Sequence, residues 1–212
     1  MRGAKIPHET IRRLPLYWRA VNFISAENHA HVNSKVLADV VHINPWQIRK
    51  DLSYFGAFGT RGVGYDTKKL LRKISDILRL NINQKAILVG VGNLGMALLK
   101  YSGFKSFGLD IVAVFDKQRQ KIGKTINGVI VEDVSKLNKF KDRGYYIGII
   151  AVPAVAAQDI LERLVYAGVC GILNFAPTVL EVPKNVTVIN IDIAPELARL
   201  PYHMSVKQME KR

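Results

Sequence analysis

Cysteine is almost missing from this chain. Cys170 is the single one in 212 residues, which excludes an intrachain disulfide and any cysteine-rich metal cluster. It falls in an apolar, strand-like run, Val169 to Leu173, and is therefore expected as a buried small hydrophobe rather than a reactive thiol. Histidine is sparse as well. Of the five, His8, His29, His31, His42 and His203, no two stand at the i, i+4 spacing of a helical metal site; His29 and His31 are expected in a polar loop, Asn28 to Asn33, and no metal is expected. Long apolar runs are also lacking. No stretch of about 18 uncharged apolar residues occurs, so neither a membrane span nor a membrane partner is expected. Met1 to Pro7 lack the apolar core of a signal peptide, which makes the cytoplasm the expected compartment. There is no internal repeat or low-complexity segment. Acidic residues are the minority charge, 17 against 31 Lys and Arg.

What is present is an ordinary globular composition, 49% hydrophobic, in a length that suits one large domain or two small ones. The formal charge of +14 points to polyanionic partners without naming them. Its distribution is uneven: residues 1–79 carry 14 Lys+Arg against 6 Asp+Glu, whereas residues 80–212 carry 17 against 11. The basic density is higher in the first part.

The most informative stretch is Lys85-Ala-Ile-Leu-Val-Gly-Val-Gly-Asn-Leu-Gly95. A short apolar run, Ala86 to Val89, ends in Gly90-Val91-Gly92-Asn93-Leu94-Gly95, and a helix-favouring segment, Met96 to Lys100, follows. In a strand-turn-helix that binds a pyrophosphate, Gly90 permits the tight turn, Gly92 lets the backbone approach the phosphates, and Gly95 lets the helix pack close on the sheet. The diphosphate would rest on the free N–H groups at the positive end of the helix. A lone pattern of this kind is weak evidence. Here a second strand, Leu109 to Phe115, ends in Asp116, placed where the acidic residue that hydrogen-bonds an adenosine ribose belongs, about 20 residues on.

The remainder of this second part alternates strand and helix signals. Apolar runs occur at Ala86–Val89, Ile111–Phe115, Gly128–Val131, Ile147–Val152, Gly171–Phe175 and Val186–Ile191, with the clearest helical stretch at Ala154 to Ala167. Near-continuous Val/Ile/Leu runs imply strands buried on both faces, hence an α/β doubly wound parallel sheet of the Rossmann type. Pro153 ends one strand at a carboxyl edge, where ligands bind in such sheets. A helical segment, Ala194 to Arg212, interrupted by Pro201, closes the chain.

The first part reads as helices followed by a glycine-rich ribbon. Apolar residues at helical spacing predict an amphipathic helix over residues 8–26, with Pro15 as a disturbance. Ser34 is expected to cap a second helix and Asn44 a third, with Pro45 in its first turn and a run to Phe55. Four glycines in residues 56–65, with aromatics between them, suit a short twisted hairpin, after which Asp66 caps a further helix. This order is that of an N-terminal winged helix-turn-helix, whose second turn helix enters the major groove of DNA. On the third helix Gln47, Lys50, Asp51 and Tyr54 fall near one polar stripe flanked by Arg49 and Ser53, opposite Ile48, Leu52 and Phe55. Gln and Arg/Lys are the residue types that bind adenine and guanine edges, and Arg61 in the ribbon could reach a minor groove. The alternative is a basic helical cap whose charged faces are merely solvated.

Arg49-Lys50-Asp51-Leu52-Ser53-Tyr54-Phe55-Gly56 with Gly59-Thr60-Arg61-Gly62-Val63-Gly64-Tyr65, then Gly90 to Gly95, then Gly171-Ile172-Leu173-Asn174-Phe175-Ala176-Pro177, make the chain resemble the Rex family of bacterial redox-sensing transcriptional repressors over nearly its full length. The resemblance implies a homodimer with a winged-helix DNA-binding domain at 1–80, a Rossmann NAD(H)-binding domain at 81–193, and a C-terminal helix at 194–212 exchanged between subunits. It implies double-stranded operator DNA as partner and NADH and NAD+ as ligands, NADH releasing the protein from DNA and NAD+ permitting binding. By the same resemblance Gln47, Arg49, Lys50, Ser53 and Tyr54 would face bases and phosphates, with Arg61 in the wing and Lys68 on the helix that follows. Gly90, Val91, Gly92, Asn93, Leu94 and Gly95 would hold the pyrophosphate, Asp116 the adenosine ribose, and Pro153 would border the site. Arg19, Tyr101 and Asp192 match positions of a polar switch between subunits. One departure stands out: Ile193 follows Asp192 where an aromatic would be expected near the nicotinamide.

Two other readings remain. An NAD-dependent dehydrogenase needs a general acid/base in its pocket, but the second part has one histidine, His203, in the terminal segment, and no residues are left for a substrate domain, so an enzyme is not expected. A coenzyme A-binding module is the other, since Lys117, Arg119 and Lys121 could meet an extra phosphate. The same cations could accommodate NADP, but Asp116 would repel a 2′-phosphate.

Overall fold

The computed structural model describes residues 6–56, 59–60, 62–141, 144 and 146–204. The chain divides into two compact units, Met1–Ile82 and Asn83–Arg212.

In the first unit α1 (His8–Ala26) leads through β1 (His31–Val32) to α2 (Ser34–Val41) and α3 (Pro45–Ser53), then to β2 (Gly59–Thr60), β3 (Gly64–Asp66) and α4 (Thr67–Leu78). Helix α1 runs through Pro15. The helix forms despite that lost donor because Leu14, Tyr17, Val21 and Ile24 form one buried stripe on it, and such tertiary packing outweighs a local defect. That stripe meets Leu37, Ile48, Leu52, Leu70 and Ile74 from the other three helices in a single core. The Trp18 indole donates to Ser75 Oγ at 2.8 Å, tying α1 to α4. The three short strands form an antiparallel sheet in the order β1-β3-β2.

Four expectations are corrected here. Asn33, not Ser34, caps α2, accepting from the backbone N–H groups of Lys35 and Val36; Ser34 is buried as the first helical residue. His31 belongs to a strand rather than a polar loop, because β1 pairs with β3 through His31–Asp66 and Val32–Tyr65. Helix α3 stops at Ser53, short of Phe55. Asp51 lies on no exposed stripe; it is fully buried.

The second unit is built on β4 (Gln84–Val89), α5 (Asn93–Lys100), β5 (Leu109–Asp116), β6 (Thr125–Ile126), β7 (Val129–Asp133), β8 (Ile147–Ile150), α6 (Ala154–Tyr166), β9 (Gly171–Asn174) and β10 (Thr187–Asn190), ending in α7 (Ile193–Ala198) and α8 (Leu200–His203). The strand order is β10-β9-β8-β4-β5-β7-β6. All neighbours pair in parallel except β6, a two-residue antiparallel edge that the apolar pattern does not predict. Alternation along β4 explains the two cores: Ile87 and Val89 point to the face covered by Ile160, Leu161 and Leu164 of α6, while Ala86 and Leu88 point to the face that meets Leu99 of α5. Strands buried on both faces need continuous apolar sequence. Strand order reverses between β4 and β8, the switch point outside whose carboxyl ends doubly wound sheets bind ligands. Cys170 corrects a further expectation. Strand β9 begins one residue later, and the cysteine is exposed, its Sγ 3.8 Å from the Tyr146 carbonyl oxygen. The expected helical segment at the C-terminus is two short helices as far as it is described, α7 and α8.

Candidate functional site

At the switch point the chain turns sharply after β4. Gly90 has φ +97°, and a Cβ there would lie 2.3 Å from the Ala151 carbonyl oxygen, so only glycine fits between the two strand ends. A Cβ on Gly95 would meet the Gly90 carbonyl oxygen at 1.9 Å, which is why α5 can start this close to the sheet. Gly92 is different in kind. Its φ of −74° suits any residue, and, its chain neighbours aside, no described residue lies within 4 Å of where its Cβ would be. Neither backbone nor packing explains a glycine there, whereas a phosphate approaching the backbone would. Gly92 is also the N-cap of α5, and no side chain caps that end, leaving first-turn N–H groups of Asn93 and Leu94 directed at whatever sits before the helix.

Beside this turn is a cleft of about 270 Å³ lined by Gly90, Gly92, Asp116, Pro153 and the apolar side chains of Val134, Val152 and Ile160. Asp116, 6% exposed, ends β5. Its Oδ2 accepts from the Val91 N–H at 2.7 Å and its Oδ1 from the Gln118 N–H at 2.8 Å. Lys121 Nζ stands 3.5 Å from Oδ2. A carboxylate at the rim, apolar walls and an open glycine before an uncapped helix fit a dinucleotide, whose adenine would lie between apolar side chains. The chain thus brings Gly90, Gly92, Asp116 and Pro153 to one cleft, with Val91, Asn93, Leu94 and Gly95 in the adjoining turn. The apolar walls and Lys121 are members that the glycine pattern alone does not single out.

In the first unit, Asp51 organises α3. Five hydrogen bonds converge on it. Oδ1 accepts from Thr10 Oγ1 at 2.9 Å, Arg13 Nη2 at 2.8 Å and Gln47 Nε2 at 2.8 Å, and Oδ2 accepts from Arg13 Nε and the Tyr17 hydroxyl, both at 2.6 Å. Desolvation works to raise the carboxyl's pKa, but these donors, Arg13 foremost, outweigh it and pull it down to about 2. Burial, followed by the hydrogen bond to Asp51, pushes the Tyr17 hydroxyl well above its ordinary value. The Asp51 hydrogen bond likewise raises Arg13. A charged clamp therefore fixes α3 on α1. A signal for it exists in the sequence: Thr10, Arg13 and Tyr17, at i, i+3 and i+7, share one helical face with the buried apolar residues.

The other α3 residues divide by exposure. Gln47 is half-buried and donates to Asp51. Arg49 is exposed, yet its Nη1 donates to Ser34 Oγ at 2.8 Å, linking α3 to the start of α2. Lys50 is exposed with its ammonium 5.0 Å from the ring centre of Trp46, itself 58% exposed. Ser53 is exposed and donates to the Lys50 carbonyl oxygen, and Tyr54 is half-buried just past the helix. Lys68 projects from the first turn of α4. Between α2, α3 and the strands lies an open concavity of about 750 Å³ whose lining includes Lys35, Arg49, Ser53 and Thr60. Arg61 lies outside the described residues.

Three named positions remain. Arg19 is an exposed residue of α1. Tyr101 is 56% exposed at the end of α5, its ring edge-on to Phe104 at 5.1 Å between centroids. Asp192 caps α7, accepting from the Ala194 N–H at 3.1 Å, and Ile193 beside it is 59% exposed. Among the described residues, no group of three or more His, Cys, Asp or Glu could hold a metal ion, and no helix is long and apolar enough to cross a membrane.

Comparison with known proteins bears on both sites. A family model described as "CoA binding domain" matches residues 81–178, and one described as "Putative DNA-binding protein N-terminus" matches residues 5–53. The redox-sensing transcriptional repressor Rex of Carboxydothermus hydrogenoformans is 48% identical over 96% of this chain and 99% of its own. That of Desulfitobacterium hafniense is 45% identical over 98% of this chain and all of its own. Among solved structures, RSP, a Rex-family repressor, in complex with β-NAD+ and operator DNA, superposes with a TM-score of 0.89 at 32% identity, covering 98% of this chain and 96% of that one. RSP in complex with β-NADH gives 0.86 at 31% identity, covering 98% of both chains. Identity of this order across both units shows that the chain belongs to the Rex family of redox-sensing transcriptional repressors.

Proposed function

We propose that this protein represses transcription by binding double-stranded operator DNA and leaves it when NADH occupies the glycine-rich cleft, so that it reads the NADH/NAD+ ratio. The observation that carries the cofactor half is Gly92: a glycine with an ordinary backbone and empty space around it, at the uncapped start of α5. In this reading Gly90, Val91, Gly92, Asn93, Leu94 and Gly95 hold the pyrophosphate, Asp116 meets the adenosine ribose, and Pro153 borders the cleft. Residues 1–80 form the DNA-binding domain and residues 81–193 the nucleotide domain. Gln47, Arg49, Lys50, Ser53, Tyr54, Arg61 and Lys68 face the DNA, with the Asp51 clamp fixing the angle of α3.

The bound nicotinamide supplies the signal through its charge, positive when oxidised and neutral when reduced. Residues 194–212 are exchanged within a homodimer. Support comes from the exposed apolar side chains around that segment: Ile189, Ile191, Ile193, Leu197, Leu200 and Tyr202 are all more than one-third exposed, which suits coverage by a second copy. Arg19, Tyr101 and Asp192 serve as the polar switch between subunits, and Ile193 offers the reduced ring no aromatic face. The protein acts in the cytoplasm.

The test is operator binding measured with saturating NAD+ and with saturating NADH. NADH is expected to weaken it, and DNA must weaken NADH binding by the same factor. Turning a dimer from 99% to 1% competent takes about 10⁴-fold differential affinity, about 5.5 kcal/mol. Operator affinity that is identical with both nucleotides removes the sensor reading. Coenzyme A serves as the control ligand and is expected not to affect DNA binding.

A further inference from the structure

We propose that Trp46 is a further sequence-reading residue of α3, its indole making an apolar contact with the C5-methyl group of a thymine in the major groove. The inference rests on the DNA-binding reading of the first unit. The exposed residues of α3 are Trp46, Arg49, Lys50 and Ser53, which stand at i, i+3, i+4 and i+7 and so form one continuous stripe. Arg49 and Ser53 border the concavity beside the strands; Trp46 and Lys50 form the other edge. Trp46 is the one apolar member of the stripe, and it is 58% exposed. Packing does not explain an indole there, because the core of the first unit takes Ile48 and Leu52 from α3 but not Trp46.

Its place in the helix suits a base edge. A helix that enters the major groove leads with its N-terminal residues, and Trp46 is the second residue of α3, directly after Pro45. The backbone is held there: the Trp46 N–H donates to the Asn44 side-chain oxygen at 2.8 Å, and the proline ring fixes the preceding φ. The indole is held as well, by the Lys50 ammonium 5.0 Å from its ring centre. Arg49 and Lys50 flank it with positive charge, and residues 1–79 carry 14 Lys and Arg against 6 Asp and Glu. Such surroundings suit a polyanion bearing an apolar spot better than an apolar protein face. Double-stranded DNA offers that spot in its major groove as the thymine methyl, which the other three bases lack.

The full chain with saturating NAD+ is used to select a duplex from random sequence. Each thymine of that duplex is then replaced in turn by deoxyuridine, which removes only the methyl group. Wild type is expected to lose about fourfold in affinity at one thymine position, the worth of burying one methyl group. Trp46→Ala is expected to bind the thymine duplex about tenfold less tightly, through the lost apolar contact, and to show no further loss with deoxyuridine at that position. Its slope of log affinity against log salt should match wild type, because no phosphate contact is removed. Should the alanine variant unfold, Trp46→Gln, polar and helix-favouring, takes its place in the same comparison. Deoxyuridine that wild type tolerates at every position overturns the proposal, as does a methyl-dependent loss that Trp46→Ala leaves intact. A salt slope that falls by about 1 in Trp46→Ala while the thymine preference persists also overturns it, making the indole a support for Lys50. Selection that enriches no duplex with wild type removes the DNA-binding reading itself, and this inference with it.

Discussion

Asp51 and Asp116 are the two aspartates buried among the described residues, one in each unit, at 0% and 6% exposed, and their donors differ in kind. Asp51 takes five hydrogen bonds, all from side chains, out of α1 and its own helix. Asp116 takes two from the backbone of the turns it borders and keeps an edge towards the cleft, where a lysine stands beside it. A carboxylate saturated by side chains fixes one helix on another and is lost to ligands. One pinned by backbone N–H groups shapes a turn and remains part of a binding surface. Burial alone does not tell a structural acid from a functional one; the nature of the donors does.

The sharpest way to break this contrast is to delete each carboxylate. Asp51→Ala leaves Arg13, Tyr17, Thr10 and Gln47 without their acceptor, and removing one partner of a buried ion pair costs about 3–5 kcal/mol. Arg13 is 22% exposed, so it can partly rehydrate, and the lower end of that range is expected in denaturant unfolding of the first unit, with operator binding lost. Asp116→Ala should affect ligand preference rather than folding of the first unit. An Asp51→Ala chain that unfolds like wild type would show that the clamp contributes nothing net.

Acid should reveal the same clamp more gently. The Asp51 carboxyl is held at about 2 against an ordinary 3.8, which is worth about 2.5 kcal/mol at about 1.4 kcal/mol per pH unit. Because the folded value is the lower one, this stabilisation is complete above pH 3.8 and disappears as pH falls towards 2. Unfolding followed from pH 5 to pH 2 should show that loss in wild type and a flatter profile in Asp51→Asn, whose side chain does not titrate. Parallel profiles would assign the acid sensitivity to other groups.

How far the sequence could reveal all this depended on distance along the chain. Strands β4, β5, β8 and β9 announce themselves because a strand buried on both faces must be apolar throughout, and the glycines at 90 and 95 because each answers a local steric demand. The Asp51 clamp shows in the sequence only as Thr10, Arg13 and Tyr17 sharing the apolar face of α1; their acceptor lies 34 to 41 residues away, and periodicity assigns that charged residue outward by default. Strand β1 is hidden for a similar reason: two residues become a strand only by pairing with β3. The apolar neighbours of Cys170, Val169 and Gly171 to Leu173, place it inside the strand, because composition cannot show that the strand starts one residue later. Between Asn33 and Ser34, both able to cap, the choice fell to tertiary structure: Ser34 is buried and accepts from Arg49.

Two glycines of one turn offer a finer test. Gly92→Ala meets no atom of the described residues within 4 Å beyond its chain neighbours, whereas Gly95→Ala meets the Gly90 carbonyl oxygen at 1.9 Å. Gly92→Ala should fold normally and lose NADH affinity about 10- to 100-fold, the worth of roughly one hydrogen bond to a charged group at about 1.5–3 kcal/mol. Gly95→Ala should be destabilised whether or not nucleotide is present. Gly92→Ala with unaltered NADH affinity would make the open space at 92 incidental and move the pyrophosphate elsewhere.

The smallest effect separates charge from reading on α3. Lys50 is exposed, and its visible contact within the protein is with the Trp46 ring at 5.0 Å, an interaction worth only about 0.5–1 kcal/mol at an exposed site. Arg49 and Gln47 are each held by a protein acceptor, at Ser34 and Asp51, and are therefore preorganised. A preorganised planar group suits a base edge, a mobile ammonium a phosphate. Lys50→Ala should accordingly weaken binding about equally for operator and unrelated DNA and lower the slope of log affinity against log salt by about 1. Arg49→Ala or Gln47→Ala should instead cost about 1–3 kcal/mol, concentrated at one base pair. A Lys50→Ala protein that keeps its salt slope but loses preference at a single base pair would reverse the two roles, making the lysine the reader and the held side chains mere supports of the helix.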